Sequence, residues 1–160
     1  MVKALVVYDS VFGNTEQIAQ AIGDALGSSE DVETLRVTDA QPEALTTVDV
    51  LIVGSPTRGF QPTPATKNLL KRIPAGGLEA VRVAAFDTRF AVEEMDSAIL
   101  SFLVRLFGYA AKPIADRLRK KGGTLAVPPE GFIVEGTEGP LRDGELERAA
   151  NWARRVVEAE

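Results

Sequence analysis

Ala4-Leu5-Val6-Val7-Tyr8-Asp9-Ser10-Val11-Phe12-Gly13-Asn14-Thr15-Glu16-Gln17-Ile18-Ala19 is the stretch on which the fold turns. Its first five residues are continuously apolar and partly β-branched, the signature of a strand buried on both faces. The period then changes. Ile18, Ala19, Ile22, Ala25 and Leu26 recur at three- and four-residue spacing, as one stripe of a helix does. Gly27 with Ser28-Ser29 stops that helix. Buried strands alternating with helices build a parallel sheet covered on both faces.

The alternation continues along the chain. Val32 to Val37 reads as a shorter strand, Gln41 to Leu45 as at most one helical turn, and Val48 to Val53 as a second central strand ending at Gly54-Ser55-Pro56. Pro56 to Pro64 reads as loop, Ala65 to Ile73 as helix and Val81 to Phe86 as strand, with Asp87 expected to begin another loop. A helical stretch from Val92 to Lys121 carries Gly108 and Pro113 as breaks. Thr124 to Val127 and Phe132 to Val134 read as an interrupted last strand around a turn at Pro128-Pro129-Glu130-Gly131. Asp143 is the expected N-cap of a final helix with Leu146, Ala149, Ala150, Trp152, Ala153 and Val156 inward. The prediction is one α/β domain over residues 1–160: a three-layer doubly wound sandwich around a five-stranded parallel sheet.

Composition narrows the chemistry. With 160 residues and 45% of them apolar, the chain can bury a core without staples and is no disordered segment. It has no Cys and no His, which excludes disulfides, thiolate nucleophiles, Ser-His-Asp triads and the usual zinc and haem ligands. No metal and no catalytic side chain are expected. A net charge of -5 argues against nucleic acid as partner, because neutralising phosphates needs a basic face. After Met1-Val2-Lys3 only five apolar residues precede Asp9, and the oiliest stretch, Ala98 to Ala111, contains Ser101 and Arg105. Neither resembles a signal or a membrane span, so a cytoplasmic protein with no membrane partner is expected.

In such a sheet, ligands bind beyond the carboxyl ends of the strands. Loop 1 leads from Asp9 into Ser10, Val11, Phe12, Gly13, Asn14 and Thr15, then a helix. Free amides at a helix start suit a phosphate, Gly13 permits close approach, and Ser10 and Thr15 can donate. The loop holds no Lys or Arg and is neither GxxxxGK[ST] nor GxGxxG, which disfavours nucleoside triphosphates and dinucleotides. An ordinary turn with Thr15 or Ser10 capping the helix needs the same residues, and spacing alone does not separate the two.

Tyr8 to Ala19 resembles the phosphate-binding signature of the flavodoxin family, a Ser/Thr-x-x-Gly-x-Thr loop that grips the phosphate of FMN, and the resemblance extends over essentially the whole chain. It implies strand order 2-1-3-4-5; flavodoxin is itself the standing example of FMN at the β1/β3 switch point of that topology. The interrupted last strand, without a long insertion, resembles the short-chain branch. The resemblance further implies FMN as cofactor and electron transfer with redox partner proteins. An FMN-dependent NAD(P)H:quinone-type reductase and a flavin-free interaction domain are the alternatives.

Pro56, Thr57, Arg58 and Gly59 resemble the family's second flavin loop, commonly Gly-Ser-x-Thr-Trp-Gly. Gly59 then falls on the peptide that turns over when flavin is reduced, and Arg58 falls where a Trp usually stacks; a guanidinium also stacks on rings. Pro-Thr-Arg is similar to the flavoprotein quinone reductases as well. Asp87, Thr88, Arg89 and Phe90 resemble the third loop, Gly-Asp-Ser-x-Tyr, at the outer edge of the flavin, although Phe90 equally suits the core. Arg58 and Arg89 replace the aromatic and acidic side chains usual around the ring, and two cations there would stabilise reduced, negatively charged flavin. The apolar segment 95–107 reads as an internal helix, a lid beside the flavin or a homodimer contact.

Overall fold

The computed structural model describes residues 3–27, 30–58, 60–90, 98–99, 108–136 and 138–158. In chain order the elements are β1 (Ala4–Tyr8), α1 (Asn14–Leu26), β2 (Val32–Arg36), a 3-10 turn (Val37–Asp39), α2 (Pro42–Leu45), β3 (Val50–Pro56), α3 (Pro64–Arg72), β4 (Arg82–Arg89), α4 (Ala111–Lys120), β5 (Thr124–Leu125), β6 (Glu130–Ile133) and α5 (Glu145–Glu158). All strand pairs are parallel, in the order β2-β1-β3-β4-β5, with β6 also on β4. This is the order that the resemblance implies.

Successive strand residues face opposite sides. Leu5, Val7, Leu51, Val53, Val83 and Ala85 pack with Leu69, Leu70, Ile114 and Leu118 of α3 and α4. Ala4, Val6, Ile52, Ala84 and Phe86 pack with Ile18, Ile22, Trp152 and Val156 of α1 and α5. Both faces are therefore dry, which is why these strands are apolar without alternation. Phe86, Phe132 and Trp152 meet edge-to-face with every pair of ring centres 6.0 Å apart.

The structure corrects several sequence expectations, among them the turn at Pro128-Pro129-Glu130-Gly131, whose last two residues are the first two of β6. β4 does not end at Phe86: Asp87, Thr88 and Arg89 stay in the strand because β6 pairs alongside, from Phe86↔Glu130 to Arg89↔Ile133. Pro113 does not break a helix; it lies in the first turn of α4, where its missing N–H has no partner to lose. The last helix begins at Glu145, with the Arg148 N–H donating to the Gly144 carbonyl at 2.9 Å, so the N-cap is Gly144, one residue beyond the expected Asp143. Leu146 is 44% exposed rather than inward; Glu145 is the buried residue of that turn. Of the apolar segment 95–107, only residues 98 and 99 are described, both exposed, so the lid and dimer readings lie outside the described residues.

The two rims of the sheet differ. β2 is five residues long and carries Glu33 and Arg36, and the opposite rim is divided between the short strands β5 and β6.

Candidate functional site

Helix α1 begins without a side-chain cap, its N-cap Gly13 having φ 94°. That left-handed backbone favours glycine, and a Cβ there would meet nothing within 4 Å, so the loop is open above it. Helix α3 makes the contrast: its N-cap Thr63 accepts from the Thr66 N–H. Of the two readings of loop 1, the capping one therefore fails for Thr15. Ser10 Oγ instead accepts from the Gly13 N–H at 3.0 Å, one residue before the helix, which leaves the first-turn amides of α1 without a side-chain acceptor.

The rest of loop 1 is anchored from outside. The Asn14 side chain, buried with Thr15, donates to the Glu138 carbonyl at 3.1 Å. The hydroxyls of Thr15 and Thr88 lie 2.8 Å apart. Two hydroxyls sharing one hydrogen bond keep one proton to donate elsewhere. Val11 and Phe12 are exposed at 51% and 46%.

Among the described residues one cation reaches this loop, and loop composition gave no sign of it. Arg36, paired with Tyr8 by the β1–β2 register, donates from Nη1 to the Ser10 carbonyl at 3.0 Å. Asp9 at 3.6 Å and Glu16 at 3.7 Å face the same guanidinium. Its charge is thus met by two carboxylates. Burial pushes the Tyr8 phenol up, and its hydrogen bond to Glu16 adds to that.

Loop 2 leaves β3 at Pro56. The Thr57 N–H donates to the Thr88 carbonyl at 3.1 Å, and Thr57 Oγ1 accepts from the Ala110 N–H at 3.1 Å, so the loop is fixed to β4 and to the start of α4. Arg58 and Gln61 exchange both backbone bonds, at 2.8 and 3.0 Å, closing a tight turn with Phe60 at φ 69°. Gly59 lies outside the described residues. Arg58 is exposed, and among the described residues no carboxylate pairs with it.

Loop 3 differs most from its sequence reading. Asp87 is fully buried and accepts from Arg89 Nε at 2.6 Å, Arg89 Nη2 at 2.7 Å and the Ala111 N–H at 2.9 Å. It thereby caps α4, whose own N-cap, Ala110, has no side chain to do so. The Arg89 guanidinium lies 3.7 Å over the Tyr109 ring and close above Gly131, where a Cβ would stand 2.0 Å from Nε. Burial holds the Asp87 carboxyl above its ordinary range, with Arg89 pulling the other way. Arg89 is consequently a paired charge rather than the second free cation expected at the ring. Phe90 is 41% exposed, which excludes the core reading.

The three loops thus converge at the carboxyl ends of β1, β3 and β4, joined by the Thr15–Thr88 and Thr57–Thr88 bonds. The family model described as a flavodoxin domain matches residues 5–125. The chain belongs to the flavodoxin family. Among curated flavodoxins, a probable flavodoxin 1 of Bacillus subtilis is 32% identical over 88 residues, 54% of this chain and 56% of that protein. A flavodoxin of Picosynechococcus is 51% identical over 45 residues, 28% of this chain and 26% of its own. The matched stretch therefore spans about half, or less, of these curated relatives. The crystal structure of oxidised flavodoxin 1 from Bacillus cereus aligns with TM-score 0.76 at 17% identity, over 98% of this chain and 97% of that one, a likeness of fold.

Flavodoxins bind FMN. The donor set of this flavodoxin chain fits that group: an uncapped helix start, open space above Gly13 and a hydroxyl proton to spare suit a phosphomonoester. No described helix is long and apolar enough to cross a membrane, and no described cluster of acidic side chains could hold a metal.

Proposed function

We propose that this chain is an FMN-binding electron carrier that exchanges electrons with redox partner proteins. The uncapped start of α1 above a glycine-opened loop carries the reading, because a helix of 13 residues leaves its first amides free where a ligand takes the place of a cap. Ser10, Val11, Phe12, Gly13, Asn14 and Thr15 would hold the phosphate. Pro56, Thr57, Arg58 and Gly59 would line the inner face of the ring, and Asp87, Thr88, Arg89 and Phe90 its outer edge.

When bound, FMN supplies one- or two-electron transfer; the protein contributes binding, electrostatics and access. Here the Asp87–Arg89 pair contributes no net charge at the outer edge, and exposed Arg58 contributes one positive charge at loop 2. No described side chain is required as an acid or base. The whole chain, residues 1–160, would form a single cytoplasmic domain. A homodimer through 95–107 rests on sequence pattern alone, and size exclusion with light scattering decides it.

Titrating apo protein with FMN tests the function. Near-equimolar quenching of flavin fluorescence is expected; no quenching would leave only a flavin-free interaction domain. Oxidation of NAD(P)H by the holoprotein alone would favour a reductase instead.

A further inference from the structure

Asp9 is an uncomfortable residue for a phosphate loop. A carboxylate one position before the hydroxyls that would meet a dianion repels it unless the carboxylate is engaged elsewhere. It is engaged on every side. Oδ1 accepts from the Ser10 N–H at 2.9 Å and stands 3.6 Å from Arg36. Oδ2 accepts from Thr63 Oγ1 at 2.5 Å.

Thr63 belongs to the other half of the site. A hydroxyl has one proton, and Thr63 gives it to Asp9, so Thr63 Oγ1 accepts both the Thr66 N–H and the Thr66 hydroxyl, at 3.4 and 2.8 Å. The Thr63 N–H donates to Ser55 Oγ at 3.0 Å, and Ser55 Oγ donates to the Pro56 carbonyl at 2.9 Å. An unbroken line of hydrogen bonds therefore runs from Ser10, the first residue of the phosphate loop, through Asp9, Thr63 and Ser55 to Pro56, the first residue of the ring loop. The backbone already ties the two strand ends, the Asp9 N–H donating to the Gly54 carbonyl at 3.1 Å, and both loops touch Thr88; the side-chain line adds a tie from Ser10 to Pro56, where the loops themselves begin.

We propose that Asp9 is a positioning residue that sets the separation between the phosphate loop and the ring loop before any cofactor arrives. The inference rests on the FMN-binding reading above. A ligand that uses both loops gains from a preset spacing, because it spends none of its binding energy on ordering them. A ligand that uses one loop gains nothing.

Three probes separate the cases: FMN occupies both loops, riboflavin only the ring loop, and inorganic phosphate only the phosphate loop. Asp9→Asn keeps Oδ1 for the Ser10 N–H but replaces the charge-assisted bond from Thr63 with at best a neutral one, its NH2 group donating to Thr63 Oγ1. Fluorescence titration with the two flavins, and thermal shift with phosphate at constant ionic strength, read the outcome. FMN affinity is expected to fall about tenfold or more, with riboflavin changed less than about twofold and phosphate, which loses a neighbouring negative charge, not weakened. Thr63→Ala cuts the same link from the far side and should reproduce the selective loss, whereas Thr63→Ser keeps the hydroxyl and should restore FMN affinity. Unchanged FMN affinity in Asp9→Asn, or equal weakening of all three probes, overturns the proposal. A wild-type protein that fails to bind FMN overturns the functional reading instead, and is recognised before any variant is made.

Discussion

Replacing Arg89 with Met tests the account of loop 3 most sharply. Met roughly preserves the length of the buried stem over Gly131 and Tyr109 but removes both hydrogen bonds to Asp87. Asp87 then keeps only the Ala111 N–H in a site with no solvent access. Breaking a buried pair from one side costs about 3–5 kcal/mol, since it leaves an uncompensated charge. The protein has a cheaper course, which is to protonate the carboxyl. From an ordinary Asp value near 3.9 that costs about 4 kcal/mol at pH 7 and about 1.5 kcal/mol at pH 5, so the penalty has a ceiling that falls with pH. The sign follows from linkage: the variant raises the folded-state value of Asp87 further, so it recovers stability relative to wild type as pH falls. Urea unfolding followed by the single, fully buried Trp152 measures it, and losses of about 3–4 kcal/mol at pH 7 and about 1–1.5 kcal/mol at pH 5 are expected. Asp87→Asn combined with Arg89→Met removes the charge altogether, keeps an acceptor for the Ala111 N–H, and should recover most of the loss. An Arg89→Met penalty identical at both pH values, or a double variant no better than the single one, would mean that Arg89 does not compensate the Asp87 charge.

Three further outcomes are expected. Gly13→Ala meets no neighbour but must adopt φ near 94°, so apo stability should fall by about 1–2 kcal/mol, read by thermal unfolding, with FMN affinity falling alongside. Burial pushes the Glu145 carboxyl up, but its hydrogen bonds from Arg148 and the Ile133 N–H outweigh this and leave it below the ordinary range. Glu145 thus contributes stability above the unfolded carboxyl value that is lost as pH falls through the lower folded one, and Glu145→Gln should flatten that acid limb in unfolding curves. Arg58→Gln removes a positive charge at the ring loop; a unit charge a side-chain length away in a wet setting is worth about 0.5–1 kcal/mol. The reduction potential of the holoprotein should accordingly shift roughly 20–40 mV negative in a spectroelectrochemical titration, and an unchanged potential would remove Arg58 from the ring's surroundings.

Much of the sheet was legible because its strands are buried on both sides. Ala4–Tyr8 and Val50–Val53 are apolar runs that no exposed element would carry, and the Gly13 loop between strand and helix marks where a ligand can approach. What escaped reading depends on partners far away in sequence. Asp87, Thr88 and Arg89 looked like loop because they are polar; β6 keeps them in a strand, and their polar groups are satisfied by one another, by Thr15 and by the start of α4. Arg36 is an unremarkable strand residue until the parallel register brings it beside Tyr8 and onto the Ser10 carbonyl. Leu146 follows the helical stripe of its neighbours yet faces outward, because Glu145 takes the inward position to receive the Ile133 N–H.

The two rims of the sheet bear on how the molecule behaves when crowded. Open strand edges invite another copy to zip on through unused backbone groups. On one side the border is five residues long with ionic side chains on it, and on the other the ribbon is cut into pieces of two and four residues. Neither offers a long, flat, oily template, so concentrated preparations have no ready nucleus for stacking into fibres along those borders.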